Sequence, residues 1–206
     1  MIDEKKIKPF TPPLPYQDTT RPTAPVVNYM STPKIYGLIR LLCRKTKGPY
    51  LEIGSYRGMG LLAAAYDKNI KVVGIDNFTG VGYLSSNEKI LRKQIASYQN
   101  IKFIKADYKA ALNDLIKSAK NHFGVIFVDG PHDYQGTYTQ LALSCKMLQS
   151  GGFVIVDDTN WRETHRAASE YFEKNKRFEL VFEKKTVRRD DPEWWNGLQV
   201  WQREKA

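Results

Sequence analysis

Short apolar runs bounded by turn residues recur through the middle of the chain: YLEIG (50–54), KVVGID (71–76), IKFIKAD (101–107), GVIFVDG (124–130) and GFVIVDD (152–158). Their length and their valine, isoleucine and aromatic content predict buried strands. Helical patterns fall between them, at about 57–68, 86–99, 108–121 and 134–149. The last is the clearest: Tyr134, Tyr138, Leu141, Cys145 and Leu148 recur at alternating spacings of four and three, one face of a helix. Ahead of the first strand, Ser31-Thr32-Pro33 reads as a helix start. Ile35, Leu38, Ile39 and Leu42 give that helix an apolar face, and Gly48-Pro49 stops it. A further helix is predicted over 161–175, followed by strands at FELVFEK (178–184) and LQVWQ (198–202).

Strand and helix in alternation predict an α/β fold: a Rossmann-like, doubly wound sheet, mostly parallel, with helices on both faces and right-handed crossovers. The last two strands have no helical pattern between them, which predicts an antiparallel closing hairpin. Residues 1–30 hold six of the ten prolines and read as a proline-rich arm, leaving 31–206 as one domain. The arm is disordered, lies across the domain, or reaches a second copy of the chain in a homo-oligomer; the sequence leaves all three open.

Composition adds little to this picture, with 42% hydrophobic and 26% charged residues. No apolar run approaches the roughly 20 residues of a membrane span. The first residues, MIDEKKIKPF, lack a secretory pattern, so a cytoplasmic protein without membrane attachment is expected. Cys43 and Cys145 each fall in an apolar helical pattern and read as reduced thiols. The net charge of +10 would suit an anionic partner, but the basic residues are dispersed, which argues against a nucleic-acid face.

The candidate chemistry sits at strand ends. Asp129 and His132 follow one buried strand, and Asp157 and Asp158 end the next. Carboxylates at the rim of a sheet are unfavourable without a cation, a partner or water. In an open parallel sheet that rim is where ligands bind. The first strand runs into Glu52-Ile53-Gly54-Ser55-Tyr56-Arg57-Gly58-Met59-Gly60, a glycine-rich turn that departs from the G-x-G-x-x-G spacing of dinucleotide sites. Asp76 ends the second strand, suited to accept both hydroxyls of a ribose, and Asp107 ends the third, suited to meet an adenine amino group.

Glu52-x-Gly54-x-x-x-Gly58 followed by Gly74-Ile75-Asp76 resembles the cofactor site of class I S-adenosylmethionine-dependent methyltransferases. Asp129-Gly130-x-His132-x-Tyr134 with Gly151-Gly152-x-x-x-x-Asp157-Asp158 resembles the small metal-dependent O-methyltransferases that act on sugar hydroxyls in macrolide and aminocoumarin biosynthesis. The resemblance covers roughly residues 50–160 and implies a seven-stranded sheet. It implies S-adenosylmethionine held around Glu52, Gly54, Ser55, Gly58, Asp76, Asn77, Asp107 and Tyr108. It also implies a divalent cation, usually magnesium, on Asp129, Asp157 and Asp158, with His132 as the base.

Oxygen ligands without cysteine suit magnesium, and a bound cation would lower the pKa of an acceptor hydroxyl. Asp129 and Asp157 read as the firmer ligands, because Asp158, its neighbour on a strand, should point to the opposite face. The expected acceptor is a small hydroxylated molecule, a sugar or a sugar-bearing metabolite. A phenol or catechol is the alternative, followed by a nucleic-acid methyltransferase or a non-catalytic binding module. Arg188, Arg189, Trp194 and Trp195 in the loop 184–197 are candidates for acceptor contacts, with the tryptophans equally suited to covering the sheet edge. Residues 79–88 are a candidate lid.

Overall fold

A computed structural model describes residues 1–13, 30–67, 69–79, 86–118 and 122–205 of the chain. The helix expected at Ser31-Thr32-Pro33 is α1 (Pro33–Thr46): Thr32 Oγ1 accepts the N–H of Ile35, and proline occupies the first turn. Lys47, in the left-handed conformation, ends it. The strands and helices then alternate as β1 (Tyr50–Ile53), α2 (Met59–Ala65), β2 (Val72–Asp76), α3 (Asn87–Ile95), β3 (Ile101–Lys105), α4 (Tyr108–Ser118), β4 (Phe123–Val128), α5 (Tyr134–Ser144), β5 (Leu148–Asp157) and α6 (Arg162–Lys174). β6 (Phe178–Lys184) and β7 (Leu198–Arg203) close the sheet.

The seven strands lie in the order β3-β2-β1-β4-β5-β7-β6. β1 to β5 pair in parallel, and β7 enters antiparallel between β5 and β6. The expected Rossmann-like sheet with its antiparallel closing hairpin is therefore present. Alternate strand residues face opposite layers. Tyr50, Val72, Phe127 and Ile155 pack with α1, α2 and Leu91 of α3, while Leu51, Ile75, Val128 and Val156 pack with α4, α5 and α6. The strand order reverses between β1 and β4, and a crevice opens at such a reversal, beyond the carboxyl ends of those strands.

The clearest boundary difference lies between α5 and β5. The helix read over 134–149 ends at Ser144, a 3-10 turn follows over Cys145–Met147, and β5 begins at Leu148 instead of residue 152. The pairing of β4 with β5 shifts register between Phe123 and Val125, so the residues around Gly151 (φ +72°) are accommodated within the strand. Leu148 is buried in either reading, and its spacing from Cys145 imitated another helical turn.

Residues 1–13 lie across the domain. Ile7 is buried, the N–H of Ile2 donates to the carbonyl of Val181 in β6, and that of Phe10 donates to Pro33 at the start of α1. Pro15, Pro22 and Pro25 fall outside the described residues, as does most of the candidate lid, at 80–85. Cys43 and Cys145 are buried and unpaired. Among the described residues no helix is long and apolar enough to cross a membrane.

Candidate active site

The crevice is built around close approaches that glycine permits. Gly54 (φ +92°) brings the tip of β1 against the tip of β4: a Cβ there would lie 1.9 Å from the carbonyl oxygen of Asp129. Gly60 in α2 leaves room for a carboxylate, since its Cβ would lie 2.0 Å from Glu52 Oε2. Glu52 is buried and accepts a hydrogen bond from the hydroxyl of Tyr50. Burial pushes its carboxyl up to about 8, against the opposing effect of that hydroxyl and with a further push from Asp76.

Asp76 ties two segments together at the end of β2. Its oxygens accept the backbone N–H of Tyr56 and of Phe78, each at 2.7 Å, pinning the glycine-rich turn to the β2 exit. Asn77 Oδ1 accepts from the N–H and hydroxyl of Thr79. Ser55 is buried in the crevice floor, and Gly58 (φ +85°) opens α2. Asp107 is exposed at the start of α4, where Oδ1 accepts the N–H of Lys109, and the adjacent Tyr108 packs into the second core layer. Three residues not expected from the sequence, Ser31, Tyr36 and Arg57, line the same cleft as Glu52, Ser55 and Asp129. Ser31 and Tyr36 lie well before the glycine-rich turn and carry no motif of their own, while Arg57 lies inside that turn, among glycines that carry the pattern.

The acidic half adjoins this cleft. Ligand atoms of Asp129, His132 and Asp158 all lie within 4.8 Å of one another. His132 Nε2 is 3.2 Å from Asp158 Oδ2, and the ring stands edge-on to Trp161 with centroids 5.2 Å apart. The loop carrying His132 is fixed from behind: Gln140 bonds Gly130 and Pro131, Thr164 donates to the His132 carbonyl, and Asp133 caps α5 through the N–H of Gly136. Asp157 and Asp158 are buried, and each has an Oδ1 without a partner.

Burial raises the Asp129 carboxyl well above its usual range, followed by the negative charges of Asp157, Asp158, Glu52 and Asp76. Asp157 is raised by burial first, then by Asp158. A cluster of this kind is unfavourable on its own and is relieved by a cation.

One expectation needs correction, and one left open by the sequence is decided for Trp194. Asp158 turns toward Asp129 and His132 instead of away, because β5 ends at Asp157 and Asp158 takes a left-handed conformation (φ +54°) that breaks strand alternation. Trp194 covers the sheet edge: it is buried, packs on Phe182 at 5.2 Å and donates from Nε1 to Glu4. Trp195 is half-buried against the same layer. β6 runs in the same sense as β5, as its pairing through β7 requires, so its exit loop does open at the rim. The exposed aromatic at the rim is Trp161, 39% exposed, with the Arg189 guanidinium 5.8 Å from its ring centre. His165 faces Glu183 at 3.7 Å and His122 stands against Phe123, neither in the cluster at the rim.

With this geometry established, the relationship to known proteins is direct. A model of the methyltransferase domain matches residues 51–159, more than half of the chain. The chain belongs to the methyltransferase-domain family. The resemblance to class I S-adenosylmethionine-dependent methyltransferases drawn from Glu52, Gly54, Gly58 and Asp76 is thereby borne out.

Among solved structures, the chain is similar to the O-methyltransferase from Bacillus cereus in complex with SAH, with a TM-score of 0.65 at 16% identity over 84% of this chain and 82% of that one. It is also similar to the O-methyltransferase NovP, with a TM-score of 0.62 at 20% identity over 83% and 80% of the two chains. At such identities the likeness is one of fold. An uncharacterized protein of Acanthamoeba polyphaga mimivirus is 29% identical over 115 residues, and the chain spans about half the length of that relative.

Proposed function

We propose that the protein transfers a methyl group from S-adenosylmethionine to a hydroxyl of a small molecule, a sugar or a glycosylated metabolite, with a divalent cation at the acidic rim. The observation that carries this reading is the meeting of Asp129, His132 and Asp158 within 4.8 Å, beside the glycine-lined crevice.

The crevice fits the cofactor. Gly54 and Gly58 give the backbone room, Glu52 and Ser55 form its buried floor, and Asp76 at the tip of β2 places a carboxylate where a ribose would be held. Asn77, Asp107 and Tyr108 would hold the adenine. When bound, S-adenosylmethionine supplies an electrophilic methyl group on a sulfonium sulfur.

Residues at the rim fit a hard cation such as magnesium. Asp129 and Asp158 would hold it, with Asp157, which lies outside their 4.8 Å group, beside them; Oδ1 of Asp157 and of Asp158 are buried oxygens with no partner among the described residues. Such an ion supplies charge that lowers the pKa of an acceptor hydroxyl. His132 is the base. With Nε2 against Asp158 Oδ2, the tautomer protonated at Nε2 is favoured, leaving Nδ1 to take the hydroxyl proton. Trp161, exposed beside His132, offers a face for a sugar or an aromatic acceptor. A phenol or catechol acceptor is the second reading, supported by that same indole face.

Methyl transfer to a panel of hydroxylated metabolites, run with and without a chelator, tests the proposal. Transfer to an oxygen that stops on chelation supports it. Chelator-insensitive transfer, or methylation only at nitrogen, contradicts it.

A further inference from the structure

The net charge of +10 has no part in the chemistry assigned to the rim, where the clustered groups are carboxylates. Its basic residues are dispersed along the sequence, but a parallel sheet brings the starts of its strands to one edge, opposite the crevice. Lys102 is the second residue of β3, and Lys71 and His122 immediately precede β2 and β4. Lys47 ends α1 ahead of β1, and Lys146 lies in the 3-10 turn before β5. In the strand order β3-β2-β1-β4-β5 these residues form a single file along the amino edge. With neighbouring strands about 4.8 Å apart, the file is about 19 Å long.

The charge in this file is one-sided. All five residues are exposed, and the four lysines enter no ion pair among the described residues. Segments 44–49, 66–71, 96–100, 119–122 and 145–147, which lead into β1 to β5, contain a single carboxylate, Asp67. Arg40 at 3.0 Å and Arg44 at 2.6 Å already hold it. The lysines are therefore left to repel one another along the edge.

A groove of about 540 Å³ runs beside the file at β2 and β3, where Lys71, Lys102 and His122 are joined by Asn69 and Gln99. It offers cations for phosphates, amides for base edges and an imidazole face for stacking. A lipid surface would want apolar side chains beside the cations. The exposed large apolar side chains among the described residues are Met1, Met30, Tyr66, Trp161 and Val187, and none lines this groove.

We propose that the amino edge of the sheet docks single-stranded nucleic acid, with the file of lysines on its phosphates and the groove beside β2 and β3 receiving an unpaired base. The crevice and the acidic rim lie at the other ends of the same strands, about 15 Å away. The nucleic acid is thus a docking partner and not the methyl acceptor. The inference stands apart from the methyl-transfer reading.

Fluorescence anisotropy of a labelled single-stranded RNA of about 20 nucleotides, titrated with the full chain at about 50 to 200 mM salt, tests this. Each phosphate neutralised on a single strand contributes about −0.7 to the slope of log affinity against log salt, so four lysines predict a slope of about −3. The edge variant Lys47→Gln, Lys71→Gln, Lys102→Gln and Lys146→Gln should bind at least about tenfold more weakly, and Lys71→Gln alone should flatten the slope by about 0.7. A control variant of equal net charge, Lys5→Gln, Lys89→Gln, Lys109→Gln and Lys185→Gln, removes lysines outside this edge and should keep both affinity and slope. No binding by wild type, equal losses in the edge and control variants, or binding to phosphatidylserine vesicles without binding to RNA would overturn the proposal. S-adenosylmethionine should bind wild type and the edge variant alike. Its failure to bind either would remove the methyl-transfer reading and leave the docking result standing.

Discussion

Asp158 and His132 meet across the ends of two neighbouring strands, with Oδ2 of the carboxylate 3.2 Å from Nε2 of the imidazole. The carboxylate thereby orients the ring, while its other oxygen stays buried without a partner. His132→Ala should lower turnover about 10²-fold or more while leaving S-adenosylmethionine affinity unchanged. Single-turnover kinetics beside calorimetry separate the two effects, and unchanged turnover would remove His132 as the base.

The clustered carboxylates make apo stability fall with rising pH. A carboxyl whose folded pKa is raised binds more protons folded than unfolded in the interval between its two pKa values. Its stabilising effect is complete below the unfolded value and lost as pH climbs through the folded one. For Glu52 that interval runs from 4.5 to about 8, and Asp129 and Asp157 act in the same direction. Thermal melts from pH 5 to 8 should show Tm declining without magnesium and declining less with it. A flat profile insensitive to magnesium would contradict the cluster's role as a cation site.

Asp129→Asn removes one of these repelling charges. The variant should melt higher than wild type in the absence of divalent cations and gain less on adding magnesium, because a charge that is costly alone is the one that binds the ion. Melting curves with EDTA and with magnesium read both differences.

Much of this architecture could be read from the sequence, because strand-sized apolar runs ending in aspartate mark both the elements and the rim. Asp76, Asp129 and Asp157 lie at or beside the strand ends that the pattern placed there. What could not be read depended on backbone conformation or on distant partners. The left-handed turn at Asp158 reverses the face expected from alternation. The packing of Ile7 and Glu4 against the far end of the chain has no local signature, and it is Glu4 that receives the indole N–H of Trp194. Trp161 carries no sequence signal, because a single aromatic after two aspartates has no periodicity.

The two tryptophans should therefore separate by experiment. Trp194→Ala removes a buried ring and should cost about 3–5 kcal/mol of stability in chemical denaturation. Trp161→Ala should leave stability within about 1 kcal/mol and raise the acceptor KM with little change in cofactor affinity. The reverse pattern would return Trp194 to the acceptor site.

Gly54→Ala tests the crevice itself. The new methyl group would meet the Asp129 carbonyl at 1.9 Å and sit at φ +92°, so destabilisation of at least about 2 kcal/mol is expected, with loss of cofactor binding. Denaturation beside cofactor titration reads both.

The most direct measurement is calorimetry of S-adenosylmethionine binding to wild type and to Asp76→Ala, with and without magnesium. One molecule bound per chain, weakened at least about tenfold by loss of the Asp76 carboxylate that pins the crevice, is the expected result. Failure of wild type to bind in either condition, or equal binding by the variant, would contradict the account.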